Sequence, residues 1–397
     1  MKAKAAPAAA SVAGVRERWR MGQEARGMVL VSAVLTAFGL AVLYSASAFV
    51  AANDHHGNSA FFLMRQLRGV AAGIVVFAVA AKFDAEKYRE WAWPIMLFTI
   101  ACFIGVLVLP ERLAPTIHGS RRFLIGSSFQ PSEFGKLSVV LWVSMLVVKK
   151  GESLKRLTKG LVPFLLIIGL LDVLVALEPD LSVAMLYTLL MALLLFVGGA
   201  RMSHFIALGA LATPIAIAKI GKWYYAVARL TAFFKPGAAP ATVSYQLNQS
   251  LIAVGSGEWF GRGFGHGLQQ ANFVPFPYSD FVASNVGEEW GFLGLAGITI
   301  AFAAYALCGF RIARQARTPF LQLVAVGLTF TTVLTAFLHI GVVIGLLPTT
   351  GLTLPFVSYG GSNLVLTMLF TGILVNIGSD KERVLGSMAT DPLAVPA

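Results

Sequence analysis

Apolar residues along this chain come in long blocks separated by short polar joints, with little of the stripe pattern of a helix lying on a soluble core. About 20 mostly apolar residues are needed to carry a helix across ~30 Å of hydrocarbon. Ten segments fit that description: Met28–Val50, Phe61–Ala81, Trp91–Leu109, Pro131–Val148, Leu161–Leu177, Leu181–Val197, His204–Ala218, Trp290–Phe310, Pro319–Leu347 and Ser358–Gly378. They predict an all-α integral membrane protein with ten transmembrane helices. The fifth, sixth and seventh are short, and only Glu178-Pro179-Asp180 separates the fifth from the sixth, which reads as a tight turn. The second and fourth open on charged residues, Arg65 and Arg68 in one and Glu133 and Lys136 in the other.

Composition agrees: 57% of residues are apolar and 13% charged, where soluble chains carry roughly a quarter charged. A net charge of +12 raises the question of nucleic acid, and the placement of the charges answers it. With the N-terminus in the cytoplasm, 20 of the 31 Lys and Arg fall in cytoplasmic segments and eight in outer ones, five of these in one long loop. Short loops obey the positive-inside rule and long ones are exempt. The remaining three, Arg65, Arg68 and Lys136, lie within spans. The basic excess is therefore topological and faces anionic membrane lipid, with no nucleic acid implied. Cytoplasmic tails at 1–26 and 379–397, expected to be loosely ordered, flank a membrane domain at 27–378. The first apolar run exceeds a signal-peptide core and no A-x-A site follows it. Cys102 and Cys308 both fall in apolar runs and read as core residues, not as a disulfide.

The longest connection, Lys219–Glu289, is a large extracytoplasmic loop between helices seven and eight. Loops of that length are usually functional. Lys222 to Phe234 is aromatic and basic and suits a helix in the membrane interface. Val243–Val254 is a second helical candidate, with Tyr245, Gln246, Gln249 and Ser250 as its polar residues. Residues Gly255 to Gly267 then hold six glycines in thirteen positions. Two readings stand: a flexible loop whose bare backbone approaches something closely, or direct contact with a ligand's phosphates or sugars. Asp280, bracketed by Tyr278 and Phe281, is one of two carboxylates between Lys219 and Ser284, the other being Glu258. Desolvation there raises a carboxyl pKa toward the range of a general base. The alternative is that Asp280 caps the eighth helix.

Ionisable groups among apolar ones are costly and mark functional or paired sites. Glu133 and Lys136, three apart, can pair on one helical face, with Pro131 at the helix start. Arg121 and Arg122 are candidates for an anion, since guanidinium forks match phosphate oxygens. Glu178 and Asp180 lie on the same outer side, Asp172 has no sequence partner, and His339 reads as a satisfied core histidine. Metal-ligand spacing of His and Cys, a Walker A loop and a nucleophile elbow are all absent.

Several segments, in order, resemble the SEDS family (shape, elongation, division and sporulation), whose members include FtsW and RodA. They are Gly119-Ser-Arg-Arg-Phe123, Gln130-Pro-Ser-Glu-Phe-Gly-Lys136, Glu178-Pro-Asp-Leu181, Tyr245 through Gly267, Ser279-Asp-Phe281 with Gly287-Glu-Glu289, and Leu347-Pro-Thr-Thr-Gly-Leu-Thr-Leu-Pro-Phe-Val-Ser-Tyr-Gly-Gly-Ser362. Together they cover residues 28–378. The resemblance implies a glycosyltransferase of the bacterial cytoplasmic membrane that polymerises lipid II into peptidoglycan, losing undecaprenyl pyrophosphate. It implies as partners a class B penicillin-binding protein and other membrane proteins of the division or elongation machinery. The family's essential Asp falls on Asp280. Arg121, Arg122, Glu133, Lys136, Glu178, Asp180, Gln249, Ser358 and Tyr359 fall on matching segments and are the expected substrate-binding residues. The chain departs from the family pattern at Phe123, Tyr278, His339 and Asn363. Its Tyr278-Ser279-Asp280 and 348–362 segments lean toward the division member.

A lipid pyrophosphate leaves readily once its charge is offset, so one base for the attacking sugar hydroxyl suffices, without the carboxylate pair of glycoside hydrolysis. The expected roles are Asp280 as general base, and Arg122 or Lys136 as counter-charge. A divalent cation, Mg2+ or Mn2+, is the one cofactor this chemistry leaves room for. Two rival readings are a flippase for the same precursor and a non-catalytic scaffold of the division complex.

Overall fold

The computed structural model describes residues 15–54, 57–117, 120–126, 129–207, 209–210, 224–235, 241–269 and 273–385. Eleven helices carry the described fold: α1 Gln23–Asp54, α2 Phe61–Lys82, α3 Tyr88–Val108, α4 Pro131–Lys150, α5 Val162–Leu177, α6 Leu181–Val197, α7 Tyr224–Phe234, α8 Ala241–Ser256, α9 Val282–Arg314, α10 Pro319–Val343 and α11 Gly361–Ile377. Seven of the described helices are long and apolar enough to cross a membrane, and α6 and α11 are shorter apolar helices. The second and fourth expected spans are among the seven despite their leading charges. Of the expected seventh span, His204–Ala218, residues 204–207 are helical, and most of the remainder lies outside the described residues.

Helix α4 is the axis of the bundle. Its sequence is apolar on every side, and a helix of that kind has no solvent face; nearly all of Pro131–Val147 is buried. Around it pack α3, α6 and α10, while α2 lies on α11, α9 on α1 and α10, and α5 on α6. Buried hydroxyls in α10 return to their own helix: Thr331, Thr332 and Thr335 donate to the carbonyls of Gly327, Leu328 and Thr331. Those three donors are thereby satisfied within the helix, while Thr329 Oγ1 is buried without a partner among the described residues.

Several boundaries differ from expectation, among them both ends of α1, which runs from Gln23 to Asp54. Residues 282–289, assigned from sequence to the outer loop, are the first turns of α9, and α10 ends at Val343, not Leu347. The expected tails also meet: β1 Val15–Met21 pairs antiparallel with β2 Ser379–Leu385. Cys102 and Cys308 are free thiols. The described residues of the connections 109–130, 178–180, 257–281 and 344–360 gather at one end of the bundle, tied by the bonds described next. The joints at 83–87 and 315–318 lie at the opposite end with the terminal ribbon, where Thr318 donates to Glu86 Oε1 (2.6 Å) and Arg317 to Ser379 O (2.7 Å).

Candidate active site around Asp280

Asp280 immediately precedes α9 but does not cap it. The cap position is Phe281, which makes no side-chain cap bond. Instead Asn285 reaches back from the first turn, its Nδ2 donating to Pro277 O (2.9 Å), and Ser284 Oγ donates to Phe281 O (2.6 Å). These bonds fold the 277–281 turn so that the Asp280 carboxyl is turned away from the helix end and toward Arg229 of α7. The two groups share one neighbour: a Cβ added to Gly351 would stand 3.8 Å from Asp280 Oδ2 and 3.8 Å from Arg229 Nη2. Arg229 Nη1 also donates to Thr350 O (3.1 Å), and Ser182 Oγ donates to the same carbonyl (2.8 Å). Burial pushes the Asp280 carboxyl up to about 6; Arg229, the Ser279 hydroxyl and Arg122 pull it down, and Asp180 adds a small upward push. Enclosure outweighs a neighbouring guanidinium here, which leaves a carboxylate that is ionised at neutral pH yet basic enough to take a proton.

The 347–360 segment holds this turn. Ser358 Oγ donates to Ser279 O (2.7 Å) while accepting from Leu354 N (2.8 Å), and Tyr359 N donates to Tyr278 O (2.8 Å). Tyr278 stacks on Phe62 of α2 at 4.5 Å, and Tyr359 meets both rings edge-on. Burial raises the Tyr359 phenol, against a smaller pull from Arg65. Gln66 Nε2 donates to Ser358 O (3.2 Å), adding a second tie to α2. His339 completes the frame. Ala283 N–H reaches its Nε2 (3.5 Å), so Nδ1 carries the proton donated to Leu352 O (2.7 Å). It is a satisfied core histidine, as its sequence context predicts, and it joins the start of α9 to the 347–360 segment.

A second cluster lies beside the first. Arg122 Nε donates to Glu178 O (3.1 Å), Nη2 to Pro179 O (2.6 Å), and Nη1 stands 3.6 Å from Asp180 Oδ2. Its fork thus shapes the turn between α5 and α6. Glu178 is pushed up to about 8 by burial first and Asp180 next, with Arg122 opposing. Glu178 Oε1 is buried without a partner among the described residues, which fits a carboxyl held neutral. Asp180 is also raised, by burial, against Arg122 as the leading opposing charge, and Glu133 and Lys136 are within its electrostatic reach. Those two form a buried pair, with Lys136 Nζ donating to both Glu133 oxygens at 2.8 Å. Gly135 between them is bare because Tyr187 crosses there: a Cβ would lie 2.1 Å from Tyr187 Oη, which donates to Ser132 O (2.7 Å).

The expected residues do not all converge. Arg122, Glu133, Lys136, Glu178, Asp180, Ser358 and Tyr359 gather near Asp280. Arg121 turns into its own loop and donates to Ala114 O (3.1 Å) and Leu109 O. Gln249 is half-buried on α8, beside Ser250, whose hydroxyl donates to Val343 O (2.9 Å). Arg229 was not among the residues expected from sequence. Its only signal there is a positive charge in the aromatic 222–234 segment, and nothing in the spacing points it at Asp280.

The glycine-rich segment packs on the protein itself. Helix α9 breaks at Gly291 (φ 64°, ψ −158°), and the amides and carbonyls freed by the break bond to 258–263. Arg262 N and Gly263 N donate to Glu288 O and Glu289 O (2.9 and 3.0 Å), while Phe292 N donates to Glu258 O (2.8 Å). A Cβ on Gly257 or Gly261 would fall 1.8 or 2.1 Å from the Gly287 or Glu289 carbonyl oxygen. The Glu288 carboxylate accepts from Leu268 N (2.8 Å) and Gln269 N (3.1 and 3.2 Å), and Glu289 from Gly265 N (3.1 Å) and Ser45 Oγ. Gly257 and Gly261 thus serve a backbone-on-backbone seam, while Gly255 and Gly265 have open space where a Cβ would stand. Among the described residues no group of three or more His, Cys, Asp and Glu side chains converges.

Comparison with known proteins places the chain. It is 32% identical over 367 residues to a probable peptidoglycan glycosyltransferase FtsW of Trichlorobacter lovleyi, covering 92% of this chain and 96% of that protein. It is 34% identical over 352 residues to the stage V sporulation protein E of Bacillus subtilis, covering 88% and 95%. Among solved structures, a chain from a peptidoglycan synthase complex that coordinates polymerization and crosslinking superposes with a TM-score of 0.73 at 25% identity, covering 89% of this chain and 97% of that one. The rod shape determining protein RodA of Thermus thermophilus shares the fold, with a TM-score of 0.64 at 24% identity over 89% and 95%. The family of cell cycle proteins FtsW, RodA and SpoVE matches residues 25–383, and the chain belongs to that family.

Proposed function

We propose that the chain is a peptidoglycan glycosyltransferase that polymerises lipid II, with Asp280 as its general base. The observation that carries the reading is the enclosed Asp280 carboxyl, facing Arg229 across Gly351 and raised to about 6, at an end of the bundle where Arg229 and Arg122 supply positive charge. Asp280 takes the proton from the acceptor sugar's 4-hydroxyl. That oxygen attacks the anomeric carbon of the donor, its bond to the pyrophosphate oxygen breaks, and undecaprenyl pyrophosphate leaves with the bond's electron pair. Configuration inverts, because attack and departure lie on opposite faces of the sugar. Arg229 and Arg122 offset the leaving charge as it develops, and no step is assigned to a metal.

Ten spans, the seventh across 204–218, put both termini in the cytoplasm and the Asp280 end at the outer leaflet of the bacterial cytoplasmic membrane. The uneven distribution of Lys and Arg supports this orientation. A class B penicillin-binding protein that crosslinks the strands is the partner, a reading supported by the likeness to a chain of a peptidoglycan synthase complex. The Tyr278 and 348–362 segments and the FtsW relatives favour the division role. Proteoliposomes that receive labelled lipid II only in the Asp280-facing leaflet test the function. Glycan polymer is expected; no polymer until the opposite leaflet is supplied would instead establish a transporter.

A further inference from the structure

Away from Asp280, at the end of α4 that carries Lys149 and Lys150, a crevice of about 480 Å³ opens between α3, α4 and α5. Its walls are apolar: Trp93 and Trp142, Leu166 and Ile167. The two indoles meet edge-on at 5.4 Å, and Phe164 backs Trp142 at 5.7 Å, so the aromatic floor is fixed from behind. Trp93 and Leu166 are 42% and 68% exposed, which makes this an open face of the membrane-spanning surface and not part of the core.

Lys149 and Lys150, in the last turn of α4, line the same crevice. Lys150 Nζ donates to Lys159 O (2.7 Å), which ties the following segment beside the opening. The one carboxylate in that segment, Glu152, is paired with Lys155 at 3.0 Å. Among the described residues neither Lys149 nor Lys150 forms a salt bridge, and Lys155, Arg156 and Lys159 are exposed on the adjoining turns. The charge on the α4 and α5 side of the crevice is thus mainly positive, while the first turn of α3 carries Arg89 and Glu90.

A soluble anion has no use for indole and leucine walls, and a neutral lipid has none for two ammonium groups. A ligand with both chemistries carries an acyl chain and a phosphate, and the bilayer supplies it as solvent. We infer that this crevice is a binding site for one anionic phospholipid, its acyl chain against Trp93, Leu166 and Ile167 and its phosphate at Lys149 and Lys150. Such a site is independent of the proposed chemistry at Asp280.

Native mass spectrometry of the purified full chain, titrated with phosphatidylglycerol or phosphatidylcholine, tests it. One phosphatidylglycerol is expected to be retained in preference. The Lys149→Gln/Lys150→Gln double variant should lose that preference, by roughly fivefold for each lysine, with an unchanged melting temperature. Ile167→Trp, which fills the crevice and leaves both charges, should lose it as well. Inorganic phosphate in millimolar excess should not displace the lipid. Equal retention of the two lipids, undiminished retention in either variant, or displacement by phosphate would overturn the proposal.

Discussion

Asp280 and Arg229, remote in sequence, face the same bare backbone at Gly351, each 3.8 Å from where a Cβ would stand. Their opposition sets the acid limb of activity. A base must be ionised to act, and burial has raised this carboxyl from 3.8 to about 6. Polymerisation at saturating lipid II should therefore rise about tenfold between pH 5 and pH 7 and then level off, following the ionised fraction. A flat profile over that range contradicts the assignment. The sign for stability is the reverse. A carboxyl whose folded value is raised opposes folding in its charged form, so this contribution weakens the fold as pH rises from about 4 to about 6.

Removing Arg229 deletes the leading charge that pulls Asp280 down. In Arg229→Ala the acid limb should move to higher pH, so activity falls more at pH 6 than at pH 8. A uniform loss at both would mean that Arg229 acts on substrate alone and not on the base.

Ser358 touches Asp280 through its neighbour, donating to Ser279 O while accepting from Leu354 N. Ser358→Ala strips both bonds and leaves a buried amide unpaired, at a cost of about 1–3 kcal/mol. Because the substitution misplaces the base, kcat should fall roughly tenfold with KM little changed. Steady-state kinetics at fixed pH distinguish this from a direct role in binding, where KM would move first.

The apolar blocks were legible because the thickness of a bilayer dictates their length, and nine of the ten correspond to described helices whose ends agree within eight residues. The early start of α9 was not. Its first turns, 282–289, carry Ser284, Asn285, Glu288 and Glu289 among apolar residues, and the seam with 258–263 takes up the backbone groups freed at Gly291. Adjacent arginines show another limit. Arg121 and Arg122 are equivalent in sequence, yet one closes its own loop and the other holds the α5–α6 turn. Which way each fork turns depends on carbonyls that only the folded chain presents. Arg229 was not readable for the same reason, while Asp280 stood out in one dimension as a carboxylate among aromatic residues on a segment that resembles the family.

Lys136 and Glu133 are both buried, with side chains 4% and 9% exposed. Lys136→Met alone strands a carboxylate in the bundle and should destabilise by about 3–5 kcal/mol, whereas the double change with Glu133→Leu should recover most of that stability. Thermal melting in detergent reads the difference; a double variant no more stable than the single one contradicts the pairing.

Polymerisation by purified Asp280→Asn protein tests the central claim most directly. Asparagine keeps the size of the side chain and removes its ability to take a proton, so the folded variant, checked by gel filtration and melting, should make no glycan polymer from lipid II under conditions where the unaltered chain does. Polymer at a rate near that of the unaltered chain would contradict a general base at Asp280.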